Sequence, residues 1–312
     1  MKKIALLFPG QGSQYIGMGK ELYDNFDTVK NIYDRANEIL DIDIKELCFN
    51  GPEEELAKTE NTQPCMLTTA YAISSLLTQK GIIAEYAAGL SLGEYSALVY
   101  GGVFSFEEGL RLIQKRGKLM QMAVPKGYGG MAAIMGLEKE KIEAYCALNY
   151  AKGIIEVANY NCPGQIVVTG DKAAVDQAAV DLKAIGALKT VVLNVSGPFH
   201  SSLMKSAGKS LEDEITRVCI NKPNKNVVSN FDNEYYDNDT NKIVYKLRSQ
   251  MSSSVKWEDN VRKLIDEGIE VFIEIGPGKT LSSFMKKIDR NKTIYNVEDI
   301  KSLDKLIDEL NI

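Results

Sequence analysis

The chain has 312 residues, 45% hydrophobic and 25% charged, with a formal charge of −5 and a single histidine. This balance fits a soluble globular protein, one large domain with a smaller insertion or two domains, and lacks the basic excess of a nucleic-acid binder. One imidazole excludes a metal site built from several, and five scattered cysteines without a CxxC pair argue for buried or idle thiols over disulfides or a zinc knuckle.

The apolar run in MKKIALLFPG is too short for a signal peptide, and no stretch nears membrane-spanning length. A cytoplasmic protein without a membrane partner is expected. Lys3–Phe8 (KIALLF) is predicted to be a short buried strand ending in the loop PGQGSQ. Pro64–Gln79 follows as a buried helix with its proline in the first turn. Glu85–Leu90 reads as a strand leading into Ser91, and Leu92–Tyr100 as the helix leaving it. The next helix, Ser105–Met122, opens with Ser105 and Glu108 at capping-box spacing.

Between about 130 and 194 the rhythm changes. MAAIM reads as a strand and EKEKIEAYCAL as a helix; IIEVANYN and QIVVTG read as strands around a CPG turn. AAVDQAAVDLKAI is then a helix and LKTVVLN a strand. That order, βαββαβ, is a ferredoxin-like unit. Beyond it, Asn230–Asn241 is expected to be a solvated surface loop, and Glu270–Ile275 a strand entering the loop GPGKTL. Strands alternating with helices predict an α/β fold with a largely parallel sheet. The expected organisation is a body of residues 1–126 and 197–312 with an inserted subdomain of 127–196.

Chemistry centres on GLSLG, where Ser91 has glycine two residues away on either side. This spacing suits a nucleophile elbow, a sharp strand-to-helix turn that bulk near the serine would block. Two other glycine loops fail as phosphate cradles. After Gly10 and Gly12 the third glycine of GxGxxG would fall at Tyr15, and before Gly278-Lys279-Thr280 the first P-loop glycine would fall at Ile273.

An elbow serine draws one oxyanion donor from the next residue, here Leu92, and another from a separate loop. Phe8–Gln14 is the expected source, with Gln11 either that donor or an ordinary turn residue. His200, in VSGPFHSSLM, is the one residue able to serve as a base of near-neutral pKa. Arg116 lies at the edge of the apolar face formed by Phe106, Leu110, Ile113, Gly117 and Met120. A guanidinium directed inward needs a carboxylate. Both a salt bridge to an acid such as Glu94 and a clamp on a substrate carboxylate satisfy that need.

Taken in order, FPGQGSQ, GLSLGEYSAL, QKRGKLMQ, VANYNCPGQIVVTG, VSGPFHSSLM and IEIGPGKTL resemble the malonyl-CoA:acyl carrier protein transacylases over essentially the whole chain. The resemblance implies an α/β-hydrolase-like body with a ferredoxin-like insertion. It makes Ser91 the nucleophile that takes malonyl as an ester, His200 the base and later the acid, and Arg116 the partner of the malonyl carboxylate. Gln11 and Leu92 would supply backbone N–H groups to the oxyanion hole. The main-chain carbonyl of Gln250, rather than an aspartate, would orient His200. Phe199 resembles the bulky residue associated with malonyl over branched acyl units. One departure stands out: the family usually has histidine before the nucleophile, and this chain has Leu90.

The implied activity is ping-pong transfer from malonyl-CoA to the phosphopantetheine thiol of acyl carrier protein, in a monomer, with neither metal nor bound cofactor. Lys115, Lys118, Lys183, Lys189 and Lys205 either meet the acidic carrier or form solvated faces. Three alternatives share the scaffold: an acyl hydrolase, an idle carrier-binding module, and a discrete acyltransferase of a polyketide synthase. The carboxylate clamp argues against the first and the Ser91/His200 pair against the second. The third has identical chemistry.

Overall fold

The computed structural model describes residues 3–125, 127–149, 153–195 and 197–311; the expected boundary residues 126 and 196 lie outside them. Ile4–Phe8 (β1) is apolar throughout, as suits a strand covered on both faces. It is the middle strand of a five-stranded sheet formed with Tyr86–Gly89 (β2), Asn226–Val228 (β7), Val271–Ile275 (β8) and Thr293–Val297 (β9). The order is β7-β2-β1-β8-β9 and every pairing is parallel. Side chains of β1 alternate between two cores: Leu6 and Phe8 join one, Ala5 and Leu7 the other.

Between β2 and β7 the chain builds a second sheet from Gly129–Met135 (β3), Ile155–Cys162 (β4), Gln165–Asp171 (β5) and Lys189–Val192 (β6). Helices Lys139–Asn149 and Lys172–Ala184 complete the βαββαβ order read from the sequence. The strand order is β4-β5-β3-β6, all antiparallel. One face, with Ala132, Ile134 and Val168, packs on those helices around its own core. Met131, Ala133 and Val167 on the other face join the main core, so the small sheet packs onto the body that holds the large one.

Helix Leu92–Tyr100 has the expected bounds, and Phe106–Met122 begins one residue after its Ser105 cap, whose side chain accepts from the Glu108 N–H. Two expectations need correction. The helix containing Pro64 starts at Thr59, so the proline lies inside it rather than in its first turn. Thr59, Thr62 and Gln63 are buried, and the Thr62 hydroxyl donates to the Leu56 carbonyl; tertiary contacts hold the turns before the ring. Asn230–Asn241 is not simply a solvated loop. Asn230 is fully buried and Tyr236 nearly so, for reasons that belong to the site.

The order in which strands are added switches sides at β1: β2 and β7 lie on one side, β8 and β9 on the other. Such a switch point leaves a crevice at the carboxyl ends of the strands. The loops after β1, β2 and β8 all open there. Cys48, Cys65, Cys146 and Cys162 are buried free thiols and Cys219 is an exposed one. No helix among the described residues is long and apolar enough to cross a membrane.

Candidate active site

The turn from β2 into helix Leu92–Tyr100 is set by its glycines. A Cβ on Gly89 would lie 1.9 Å from the Gly93 carbonyl carbon, and one on Gly93 would lie 2.1 Å from the Phe8 carbonyl oxygen. Only hydrogen fits at either position, so the helix starts directly against the sheet. Ser91 takes the strain of the bend, with φ 54° and ψ −100°. His200 also has positive φ, at 62°. The other two described non-glycine residues with positive φ are asparagines, which tolerate that region. Strain of this kind, about 1–3 kcal/mol per residue, persists where surroundings over-determine it.

Those surroundings bring the two together. Ser91 Oγ lies 2.7 Å from His200 Nε2, and His200 Nδ1 lies 2.9 Å from the Gln250 carbonyl oxygen. A carbonyl only accepts, so Nδ1 carries the proton and Nε2 presents a lone pair to the serine hydroxyl. Burial pulls the imidazole from its ordinary 6.5 to about 4, with the nearby Arg116 charge acting in the same direction and the Gln250 carbonyl against it. The ring is therefore neutral at pH 7, as a proton acceptor must be.

Arg116 comes from helix Phe106–Met122, which crosses Thr59–Gln79 so closely that a Cβ on its Gly117 would meet the Thr59 carbonyl at 2.8 Å. That approach sets Arg116 beside Gln63. The guanidinium is fully buried and over the Tyr95 ring, 5.2 Å from its centroid. Nη1 donates to Gln63 Oε1 at 2.9 Å; Nη2 donates to Gln250 Oε1 at 2.9 Å and to Ser91 Oγ at 3.1 Å. Nε has no partner. The direct ion pair to Glu94 is absent: among the described residues, none of these hydrogen-bond partners is a carboxylate.

Glu94 is nevertheless buried nearby. Its carboxylate accepts from the Tyr236 hydroxyl, the Asn230 N–H at 3.2 Å and Gln250 Nε2 at 2.6 Å. Burial lifts its pKa from 4.5 to about 7 against the pull of those donors and of Arg116. Asn230 also accepts from the Ser91 N–H at 2.8 Å and donates to the Gly89 carbonyl at 2.8 Å, tying the elbow from both sides.

A cavity of about 280 Å³ opens onto these groups, lined among others by Gln11, Leu92, Arg116, Phe199, Leu90 and Met131. Gly93 and Glu94 N–H groups turn back to the Leu90 and Ser91 carbonyls. The Leu92 N–H is in the first turn of its helix, where backbone N–H groups have no intrahelical partner. The cavity thus gathers Gln11, Leu90, Ser91, Leu92, Arg116, Phe199 and His200; Gln250 stands behind Arg116 and His200, and neither Glu94 nor the five lysines line it. Leu90 both lines it and packs against the second core.

Sequence reasoning missed Gln63, Asn230, Tyr236 and the side chain of Gln250. Asn230 and Tyr236 sit in a stretch rich in Asn and Asp, where composition points to solvent. Gln63 carried a weak signal, a polar residue at the edge of an otherwise buried helix. Asn159 and Asn161 of β4 also line the cavity, and Asn161 Oδ1 is buried without a hydrogen-bond partner among the described residues.

A strained serine, a neutral imidazole and a buried cation around one cavity, on this fold, define an acyltransferase. The chain belongs to the acyl transferase domain family, whose model matches residues 5–309. It is 42% identical over 311 residues to malonyl CoA-acyl carrier protein transacylase of Bacillus subtilis, covering 99% of this chain and 98% of the relative. The Staphylococcus aureus protein of the same name is 43% identical over 305 residues, covering 96% and 98%.

Among solved structures, malonyl CoA-acyl carrier protein transacylase from Clostridium perfringens superposes with a TM-score of 0.95 at 47% identity, covering 99% of this chain and 97% of that one. A malonyl-transacylase in complex with a type II polyketide synthase acyl-carrier protein gives 0.96 at 38% identity, covering 98% and 99%.

Proposed function

We propose that this chain transfers malonyl from malonyl-CoA to the phosphopantetheine thiol of an acyl carrier protein through an ester on Ser91. The observation that carries this reading is Arg116. A fully buried guanidinium that has, among the described residues, no carboxylate hydrogen-bond partner and an unused Nε stands 3.1 Å from the serine oxygen. A simple acyl chain gives such a charge nothing to bind, whereas a malonyl carboxylate completes it.

In the first half-reaction Ser91 Oγ attacks the thioester carbonyl as its proton passes to His200 Nε2. The Gln250 carbonyl holds the imidazolium by Nδ1–H, and the Leu92 and Gln11 N–H groups take the oxyanion. The C–S bond breaks, and His200 returns the proton to the departing CoA sulfur. In the second half the carrier thiol gives its proton to His200 and attacks the ester, and Ser91 recovers its hydroxyl. Phe199, on the cavity wall, limits the acyl branch that fits.

This reading takes residues 1–126 and 197–312 as an α/β-hydrolase-like body and 127–196 as a ferredoxin-like insertion forming one wall of the site. Its setting is the cytoplasm and its working form a monomer. The carrier serves fatty acid synthesis; a polyketide carrier is the second reading, supported by the complex described above. Comparing discharge rates with carriers of the two kinds separates them.

Intact mass after brief mixing with malonyl-CoA tests the proposal. One malonyl adduct is expected, absent in Ser91→Ala and discharged by added holo carrier protein. An adduct at another residue, or loss of the group to water as fast as to the carrier, would remove the transacylase reading.

A further inference from the structure

Two buried ionic groups of opposite sign, Arg116 and Glu94, stand close to each other without touching. The Gln250 side-chain amide lies between them. Its Oε1 accepts from Arg116 Nη2 at 2.9 Å, while its Nε2 donates to Glu94 Oε2 at 2.6 Å and to the Ser91 carbonyl at 2.8 Å. This orientation is fixed by its surroundings. The reversed amide would press oxygen against two acceptors and hydrogens against a cation.

A glutamate reaching Arg116 directly would form a charge-assisted pair, stronger than the amide contacts it replaced. It would also occupy the donors a substrate carboxylate needs. Among the described residues, three of the five guanidinium N–H groups have neutral partners, and Nε has none. Glu94 is meanwhile satisfied elsewhere, by Tyr236 and Asn230 as well as by the amide. Its charge still offsets that of the guanidinium across the amide, which makes burial of the cation tolerable.

We propose that the Gln250 side chain is a spacer that withholds Glu94 from Arg116, and so keeps the guanidinium open to the carboxylate of the acyl donor. Gln250 is in this respect a positioning residue for specificity, apart from the contact of its carbonyl with His200. The inference rests on the reading of Arg116 as the malonyl clamp.

The test compares initial rates of Ser91 acylation from malonyl-CoA and acetyl-CoA at pH 8, with melting curves to confirm folding. Gln250→Glu is nearly isosteric, keeps the main-chain carbonyl, and places a carboxylate on Arg116. The malonyl-to-acetyl rate ratio should fall at least tenfold. Glu94→Gln removes the charge behind the spacer, so the donor carboxylate meets less repulsion and the ratio should rise at least threefold.

A parallel fall of both donors in folded Gln250→Glu, or a ratio that stays level or drops in folded Glu94→Gln, overturns the spacer. If Gln250→Glu does not fold, Glu94→Gln decides alone. Arg116→Ala separates the two levels of argument. If it leaves the ratio unchanged, the clamp itself fails; if it collapses the ratio while the spacer variants do not shift it as stated, only the spacer fails.

Discussion

His200 has two separate demands on it: to be neutral before the reaction and to accept a proton during it. Burial and the Arg116 charge secure the first by lowering its pKa to about 4. In the proposed reaction the second is helped by the substrate. A malonyl carboxylate on Arg116 offsets the charge that depresses the imidazole, so the pKa rises in the complex. Because kcat/KM reports the free enzyme and kcat the complex, two acid limbs are expected. For malonyl-CoA, kcat/KM for Ser91 acylation should fall with an apparent pKa near 4, and kcat with a higher one. Acetyl-CoA, lacking the carboxylate, should show no such separation. A kcat/KM limb at the ordinary histidine value that appears with both donors and persists in Glu94→Gln would mean that the ring is solvated. At this scale the sequence was informative where chemistry leaves few choices: a lone histidine, and a serine between two glycines. Gln250 and Asn230 were harder, because an amide makes the same impression on a sequence whether it lies in water or between buried charges.

At the scale of elements, site geometry depends on how closely pieces of backbone approach. The crossing of Thr59–Gln79 with Phe106–Met122 sets Gln63 against Arg116, and Gly117 permits it. Alanine at an ordinary helix position would add about 1 kcal/mol of helix propensity over glycine. Here its Cβ would lie 2.8 Å from the Thr59 carbonyl oxygen and 2.9 Å from the Glu60 Cα, which are backbone atoms that cannot swing away. Overpacking of that kind costs about 1–3 kcal/mol. Gly117→Ala should therefore lower unfolding stability in urea, despite its propensity gain, and slow malonyl loading by displacing Arg116. Measured stabilisation would mean that the two helices have slack at the crossing. Period and capping made Phe106–Met122 legible to within a residue. The start of Thr59–Gln79 was not legible, because buried partners, rather than propensity, carry the helix back past Pro64. The short strand β7 and the edge strand β9 gave too few residues of alternation to read.

Across the whole molecule, the site buries two titratable groups whose shifts oppose each other. Folding lowers His200 from 6.5 to about 4 and raises Glu94 from 4.5 to about 7. Near pH 5.5 the unfolded chain has a charged imidazole and a charged carboxylate; folding strips the proton from one and supplies one to the other. Net proton exchange by the pair is close to zero, so together they give stability little slope between pH 4.5 and 6.5. Each single variant should uncover the remaining partner. In Glu94→Gln only the depressed histidine is left. Its unfolded form binds more protons over this window, so the variant's own stability rises with pH from about 4 to 6.5; relative to the parent, where the falling Glu94 contribution is still present, the rise runs from about pH 4.5 to 7. In His200→Asn only the raised carboxylate is left. Its contribution is full below pH 4.5 and lost as pH climbs through about 7, so the variant's own stability falls; relative to the parent, which keeps the rising His200 contribution, the fall runs from about pH 4 to 6.5. Each arm spans on the order of 3 kcal/mol from shifts of this size in fully buried groups. Urea unfolding of the three proteins at half-unit steps from pH 4 to 7.5 checks the signs. Exposed carboxylates contribute alike to all three and cancel in the differences. Slopes of the same sign in both variants would show that the two groups do not exchange roles on folding, and that the buried charges beside Ser91 are balanced by something other than each other.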